Sequence, residues 1–153
     1  MKELDLKKYL GKYKNTNVDF FRFPGNYGDS LIWHGTKKLL SLLNISERYV
    51  DISSPKYNNV LFIDGGGNFV DYYSDVKNFL IEKPNLYSEI VIFPHTIFGE
   101  KQIEVLNNIS SDLTVFCREK VSAKFLEDRL AHGEVYLWHD CAFYNKIFPV
   151  FSG

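Results

Sequence analysis

The stretch from residue 60 to residue 69 constrains the fold more than any other part of the chain. It begins with the apolar run Val-Leu-Phe-Ile and continues with Asp64 and three consecutive glycines. An uninterrupted apolar run is typical of a strand that is buried on both faces, as in a parallel sheet covered by helices. The strand is predicted to end at the glycines, where the absent Cβ atoms let a ligand or another segment approach the main chain. A tight turn without a ligand is the alternative interpretation.

Predicted strands and helices alternate along the rest of the chain. Runs of apolar, β-branched and aromatic residues predict six strands, at 18–23, 48–52, 60–63, 89–93, 113–117 and 135–138. The spacing of apolar residues predicts helices at 30–42, 71–82, 100–109 and 121–130. This alternation with short connections indicates an α/β fold, Rossmann-like and doubly wound, with a mostly parallel sheet of about six strands.

The length of 153 residues suits one domain. We expect a single Rossmann-like domain over residues 1–153, with an N-terminal helix or arm at 1–16, a core at 17–143 and a C-terminal tail at 144–153. The hydrophobic content of 45% argues against disorder.

Charge and hydropathy exclude several classes of partner. The net charge of −1 provides no basic field, so neither nucleic acid nor an anionic membrane surface is an expected partner. No apolar run reaches the length of about 18 residues that a membrane-spanning helix needs, and the charged N-terminus lacks the apolar core of a signal peptide. The two cysteines, Cys117 and Cys141, fit a reducing compartment, so we predict a cytoplasmic protein.

Polar residues gather where the predicted strands end. These strand-end segments are 25–29 (Gly-Asn-Tyr-Gly-Asp), 64–68 (Asp-Gly-Gly-Gly-Asn), 95–96 (His-Thr), 118–119 (Arg-Glu) and 139–140 (His-Asp). In an open parallel sheet, ligands bind beyond the carboxyl ends of the strands. Because the opposite edge carries far less polar chemistry, the sequence predicts a binding or active cleft at the carboxyl edge.

Several well-known sites are absent from the sequence. There is no phosphate-binding loop with Gly-Lys-Ser/Thr, no His-Glu-x-x-His pair, no zinc-finger spacing and no Gly-x-Ser-x-Gly elbow. The glycines match the first two positions of a dinucleotide fingerprint, but Val70 stands at the third. We therefore predict neither a metal nor a nicotinamide cofactor.

Five blocks in this order resemble the polysaccharide pyruvyltransferase family. The blocks are 25–29 (Gly-Asn-Tyr-Gly-Asp), 64–69 (Asp-Gly-Gly-Gly-Asn-Phe), 93–97 (Phe-Pro-His-Thr-Ile), 117–122 (Cys-Arg-Glu-Lys-Val-Ser) and 139–143 (His-Asp-Cys-Ala-Phe). The resemblance covers about residues 18–143, with Cys141 where the family usually has Met. It implies transfer of a pyruvyl group from phosphoenolpyruvate to sugar hydroxyls, which forms a ketal in a cell-surface polysaccharide. Phosphoenolpyruvate is then a donor substrate, and no cofactor is expected.

The length departs from that family. Its members resemble two-domain enzymes of GT-B type with facing Rossmann-like halves, about twice as long as this chain, which holds only the first half. The resemblance implies that the second half supplies part of the donor site, so activity of this chain alone is in doubt. Two ways of completing the cleft stay open, a homo-oligomer and a second chain.

The predicted catalytic residues are Arg118, His95 and Asp140. Arg118 can pair with the carboxylate or phosphate of the donor, or form a surface salt bridge with Glu119 or Asp140 instead. A histidine can carry protons near neutral pH, and we favour His95 over His139. The alternative for either histidine is a packed ring that bonds to the backbone.

The predicted substrate-binding residues share a place at the strand ends. They are Asn26, Gly28, Asp29, Gly65, Gly66, Gly67, Asn68, Thr96 and His139. The phosphate is expected on the amides of the glycines or of the helix after Asp29. Asp29 and Asp140 can accept hydrogen bonds from sugar hydroxyls or act as a base, although Asp29 can equally cap a helix. Asp64 is expected to brace the glycine turn.

Two other functions remain open at this point. One is a glycosyltransferase-like half-domain that binds a nucleotide sugar, and the other is a non-catalytic remnant or binding subunit. The aromatic residues Trp33, Trp138, Tyr72 and Tyr73 are expected in the core rather than as platforms for sugar rings.

Overall fold

The structure, a computed structural model, describes residues 1–23, 25, 27–83 and 86–146. The strands are β1 (Asn17–Phe21), β2 (Ser46–Tyr49), β3 (Val60–Ile63), β4 (Gly66–Phe69), β5 (Glu89–Ile97), β6 (Asp112–Cys117) and β7 (Glu134–Leu137). The α-helices are α1 (Leu6–Leu10), α2 (Tyr27–Leu42), α3 (Asp75–Glu82), α4 (Glu100–Asn107) and α5 (Lys120–Arg129). Two short 3-10 helices cover Gly11–Tyr13 and Cys141–Lys146.

The strands form one sheet in the order β2-β1-β3-β5-β6-β7, and β4 also pairs with β5. All of these strand pairs are parallel. Consecutive parallel strands need crossover connections, and helices provide most of them here. Since parallel strands have their carboxyl ends at one edge, the segments after β1, β4, β5, β6 and β7 meet there.

Helices cover both faces of the sheet. One hydrophobic cluster contains buried residues of α3, α4 and α5, such as Phe79, Leu106 and Leu126. The other contains buried residues of α1 and α2, such as Leu10 and Leu39, together with Cys141. The predicted α/β fold with a doubly wound, mostly parallel sheet is therefore confirmed.

The glycine segment differs from its prediction, since a second strand begins at Gly66, within the triplet, where the chain was expected to leave the sheet. Strand β3 pairs with the first half of β5, and β4 pairs with the second half through Gly66 opposite His95. The two strands thus follow one another beside the same neighbour, with a break at Asp64 and Gly65. The sheet has seven strands where about six were expected.

Strand β5 also runs past its predicted end at residue 93. It continues through Pro94 to Ile97, and the pairing with β6 shifts register between Ile92 and His95. Proline has no N–H to donate to a ladder, so within a central strand it is tolerated at such an irregularity.

Two helices begin elsewhere than predicted. Helix α2 begins at Tyr27 rather than at residue 30, so Asp29 lies in its first turn. Helix α3 begins at Asp75 rather than at residue 71, which leaves an exposed turn at 70–73 between β4 and the helix. The glycines therefore do not lead directly into a helix N-terminus.

The aromatic residues divide between core and surface. Trp33 is buried, as predicted, and Trp138 packs at the edge of the same cluster. The prediction is wrong for the two tyrosines, because the side chains of Tyr72 and Tyr73 are 94% and 54% exposed. Both lie on the turn between β4 and α3, outside the helix in which they were predicted to pack.

Within the described ranges, the helices are too short or too polar for any of them to cross a lipid bilayer.

Candidate functional site

A cleft of about 800 Å³ opens at the carboxyl edge of the sheet. Its walls come from the segment after β1, the first turns of α2, strand β4 and the turn after it, the end of β6 and the segment after β7. The predicted site residues that line it are Gly28, Asp29, Gly67, Asn68, Arg118 and Asp140. Segments from six parts of the chain therefore meet in one cavity at the edge that the strand-end pattern predicted.

Other predicted residues lie beside the cleft rather than on its wall. Thr96 contacts Arg118, His139 packs among aromatic rings, and Gly65, Gly66 and His95 lie beneath the surface. Asn26 falls outside the described residues.

The guanidinium of Arg118 is held on two sides. Its Nε donates to the Thr96 hydroxyl at 2.8 Å, and its Nη1 donates to Asp140 Oδ2 at 3.0 Å. Its Nη2 lies against Gly67, so close that a Cβ on that glycine would stand 3.2 Å away. Within the described part of the chain, Nη2 makes no hydrogen bond. Arg118 therefore forms the salt bridge with Asp140 and also lines the cleft, so both interpretations from the sequence hold. The N–H groups of Nη2 remain for a ligand.

Asp140 connects this cation to the next segment. Its second carboxylate oxygen, Oδ1, accepts a hydrogen bond from the Ala142 N–H at 2.8 Å, at the start of the 3-10 helix. Both oxygens thus have protein partners, which suits Asp140 to orient Arg118 better than to exchange protons with a substrate.

Two residues of the triplet need to be glycine, one because of a close contact and the other because of its backbone conformation. A Cβ at Gly65 would stand 2.5 Å from the Pro94 carbonyl oxygen, and Gly66 has a φ of +142°, which residues with side chains rarely adopt. At Gly65 the N–H that was expected to face a phosphate donates to Asp64 Oδ1 at 2.9 Å. This bond confirms that Asp64 braces the glycine turn.

Asn68 has a role that the sequence did not reveal. Its side-chain oxygen accepts a hydrogen bond from the Val76 N–H at 3.1 Å, and its amide donates to Asp75 at 3.0 Å. Ser74, at the N-cap position, makes no side-chain capping bond, so Asn68 caps α3 from eight residues away. It thereby fixes one wall of the cleft.

Glu119 and Ser122 fix the backbone next to Arg118. Glu119 is the N-cap of α5 and accepts from the Ser122 N–H at 3.0 Å. The Ser122 hydroxyl contacts Glu119 and accepts from the Ile97 N–H at 2.9 Å. The helix start is therefore attached to the end of β5, directly beside the residue that points into the cleft. This is the reverse of the usual capping box, in which Ser or Thr is the N-cap and Glu lies three residues later, so the usual sequence signal for a cap is absent here.

His95 is fully buried, and neither ring nitrogen has a hydrogen-bond partner within the described residues. Its ring packs against Phe23 with 5.6 Å between centroids, and Phe23 in turn lines the cleft. Burial lowers the pKa of His95 to about 3, and the charge of Arg118 acts in the same direction. The imidazole is therefore neutral at pH 7 and out of reach of the cleft, which does not support the predicted proton shuttle in this conformation.

His139 lies among aromatic rings. The ring centroid of Trp138 is 4.6 Å away, and the Nδ1 of His139 lies 3.0 Å from the Asp140 carbonyl oxygen. Packing and one backbone contact thus hold this ring, as in the packed alternative.

Asp64 is the second buried titratable group of the site. Its Oδ1 also accepts from the Thr36 hydroxyl at 2.9 Å. Burial raises the pKa of this carboxyl to about 7, against the opposing effects of the Thr36 and Gly65 hydrogen bonds and of Arg22.

The two buried groups predict opposite effects of pH on stability. From about pH 4 to pH 6.5, folded Asp64 retains a proton that the unfolded carboxyl has lost, so its contribution to the free energy of unfolding falls as pH rises. His95 does the reverse, because over the same range the unfolded imidazole binds a proton that the folded one excludes. Each group changes the free energy of unfolding by at most about 1.4 kcal/mol per pH unit, so in the wild type they largely cancel.

Urea unfolding at pH 4.5, 5.5 and 6.5 checks this prediction. Relative to the wild type, Asp64→Asn should gain stability as pH rises, and His95→Leu should lose it. All other titrating groups are shared, so they drop out of the comparison. Parallel stability curves for the three proteins would contradict the assignment of buried, shifted groups.

No cluster of side chains suited to a metal ion occurs in residues 1–23, 25, 27–83 and 86–146.

Comparison with known proteins agrees with this architecture. A solved structure of a functionally uncharacterised protein of Klebsiella pneumoniae superposes with a TM-score of 0.78 at 24% identity, over 95% of this chain and 58% of that one. Pyruvyl transferase 1 of Schizosaccharomyces pombe is 28% identical over 166 aligned positions, which cover 94% of this chain and 41% of that protein. The chain thus spans about half the length of the relatives it matches.

The family model of the polysaccharide pyruvyl transferases matches residues 26–151, which is most of the chain. Its match includes the cleft residues from Gly28 to Asp140. The chain belongs to the polysaccharide pyruvyl transferase family.

Proposed function

We propose that this chain carries the donor-binding part of a polysaccharide pyruvyltransferase. Such an enzyme transfers a pyruvyl group from phosphoenolpyruvate to sugar hydroxyls of an exopolysaccharide or other cell-surface glycan. The observation that carries the proposal is the guanidinium of Arg118, which Thr96 and Asp140 hold at the cleft wall with Nη2 beside Gly67. A guanidinium binds a carboxylate or phosphate through two parallel hydrogen bonds, and phosphoenolpyruvate carries both groups.

The reaction needs few groups from the protein. A proton adds to the methylene carbon of the donor, which becomes a methyl group, and a sugar hydroxyl adds to the neighbouring carbon. The carbon–oxygen bond to phosphate breaks, and a second hydroxyl adds to the same carbon to close the ketal. Of the two hydroxyl protons, one is balanced by the new methyl hydrogen and the other leaves with inorganic phosphate.

Asp29 is the carboxylate that we assign to the sugar hydroxyl. It lines the cleft from the first turn of α2, and its Oδ1 lies beside Gly66 of the glycine triplet. A carboxylate is a weak general base near neutral pH, but it needs only to accept a hydrogen bond as the hydroxyl attacks.

A second protein segment would complete the cleft in this proposal. The chain spans 41% of the fission yeast pyruvyl transferase, and Arg118 is the one cation among the described residues that line the cleft. A second chain or a second copy that brings further cations would balance the two anionic groups of the donor. We expect donor binding by this chain and full turnover only in the completed assembly. A cytoplasmic location belongs to the same proposal, since both cysteines are free and buried thiols.

Calorimetric titration of the chain tests the function. We expect saturable binding of phosphoenolpyruvate and none of UDP-sugars or GDP-sugars, and release of phosphate on addition of a β-galactoside once the cleft is completed. Saturation by a nucleotide sugar without phosphoenolpyruvate binding would favour the glycosyltransferase-like alternative. Binding of neither ligand would favour a non-catalytic subunit.

A further inference from the structure

The side chain of Tyr73 forms part of the cleft wall while 54% of it stays exposed. It lies on the turn between β4 and α3, which the hydrogen bond from the Tyr73 N–H to the Val70 carbonyl closes at 3.2 Å. An aromatic ring on the wall of a cavity offers an apolar face and a polar hydroxyl to a molecule bound there.

The cleft has more room than the donor needs. Pockets of about 300–1,000 Å³ hold drug-sized ligands, and this one, at about 800 Å³, lies near the upper end of that range. Phosphoenolpyruvate is much smaller than such a ligand and is anchored at Arg118. The lining of the cleft also includes Tyr73 and the apolar side chains of Leu31 and Ile32 on α2.

We propose that Tyr73 is the platform of an acceptor subsite, where its ring stacks on the C–H face of a pyranose. This inference rests on the proposed function and adds a place for the acceptor within the cleft and the residue that contacts it. A pyranose chair can present several C–H groups on one side and its hydroxyls at the rim, so it suits an apolar ring bordered by a carboxylate such as Asp29. An acyclic polyol has the same hydroxyls and no fixed C–H face.

The neighbouring tyrosine provides a matched control. Tyr72 is 94% exposed and lies outside the cleft lining, one residue away on the same turn. Replacing either tyrosine by alanine removes one phenol ring from the surface, but only the replacement of Tyr73 removes a ring from the cleft wall.

The test is a titration of the folded chain with methyl β-galactoside, at saturating phosphoenolpyruvate, followed by NMR. We expect Tyr73→Ala to weaken sugar binding about five- to tenfold, equivalent to about 1–1.4 kcal/mol. Tyr73→Phe and Tyr72→Ala should bind as the wild type does. Galactitol, the acyclic control, should bind equally weakly to all four proteins.

Phosphoenolpyruvate affinity, measured separately, distinguishes this inference from the proposed function. Loss of sugar affinity in Tyr73→Ala with unchanged phosphoenolpyruvate affinity supports the subsite. Equal sugar binding by Tyr73→Ala and the wild type overturns it, as does an equal loss in Tyr72→Ala or the absence of pyranose binding by the wild type. None of these results alters the donor site, whereas a wild type that does not bind phosphoenolpyruvate removes the proposed function itself.

Discussion

Replacing Arg118 by alanine should weaken phosphoenolpyruvate binding at least about 100-fold. Each hydrogen bond to a charged group contributes about 1.5–3 kcal/mol, and the free edge of this guanidinium can make two of them to one ligand group. A loss of about 3 kcal/mol corresponds to a factor of about 100 in the dissociation constant. Arg118→Lys should recover only part of the affinity, because a single ammonium cannot donate to Thr96, Asp140 and the ligand in one plane. Calorimetric titration of each variant measures the effect.

Variants at two other positions separate ligand binding from general charge. Arg129→Ala removes a cation of α5 that is 42% exposed and pairs with Glu100 at 3.6 Å, so its affinity should equal that of the wild type. Thr96→Val should weaken binding several-fold and Thr96→Ser should restore it, since only the hydroxyl orients Nε. If Arg118→Ala bound phosphoenolpyruvate as well as Arg129→Ala does, Arg118 would not be the anion anchor.

Gly35→Ala should lower the free energy of unfolding by about 3 kcal/mol. In the interior of an exposed helix this change normally stabilises by about 0.5–1 kcal/mol, because glycine loses more backbone freedom on folding. Here a Cβ would stand 1.8 Å from the Cys141 carbonyl oxygen, a backbone atom of the segment that packs on α2. Overpacking of this kind typically costs 1–3 kcal/mol or more, so the sign of the usual effect reverses.

Gly11→Ala is the matched control for this change. Gly11 has a right-handed φ of −55°, and a Cβ there would meet nothing within 4 Å, so stability should be unchanged or slightly higher. Urea unfolding of both variants provides the comparison. Because the 3-10 helix begins next to Asp140, the Gly35 variant should also bind phosphoenolpyruvate more weakly if it folds. Equal stabilities of the two variants would show that α2 does not approach Cys141 so closely.

Much of the cleft could be predicted because it follows from topology. Once the strands are recognised as parallel, the residues that follow them must meet at one edge, as Asp29, Arg118 and Asp140 do. The order of the elements was predictable for the same reason, since alternating apolar patterns leave few other arrangements.

The features that the sequence did not predict depend on contacts between segments that lie far apart along the chain. The break between β3 and β4 exists because the Pro94 carbonyl approaches Gly65 from the neighbouring strand, which no local pattern reveals. The same holds for Asn68, which caps a helix eight residues away. His95 is buried because β5 continues past its predicted end and the ring packs against Phe23 from another segment. Tyr73 is exposed because α3 begins at Asp75, later than the apolar pattern indicated.

The most direct measurement is an NMR titration of the assigned chain with phosphoenolpyruvate, read at backbone amides and at the Arg118 side chain. Saturable shifts should be confined to the Arg118 Nε–H, the Gly67 amide and the first turn of α2. Shifts that centre on Lys77 and Lys101 in the groove between α3 and α4, or no saturable shift at all, would contradict a donor site at the carboxyl edge of the sheet.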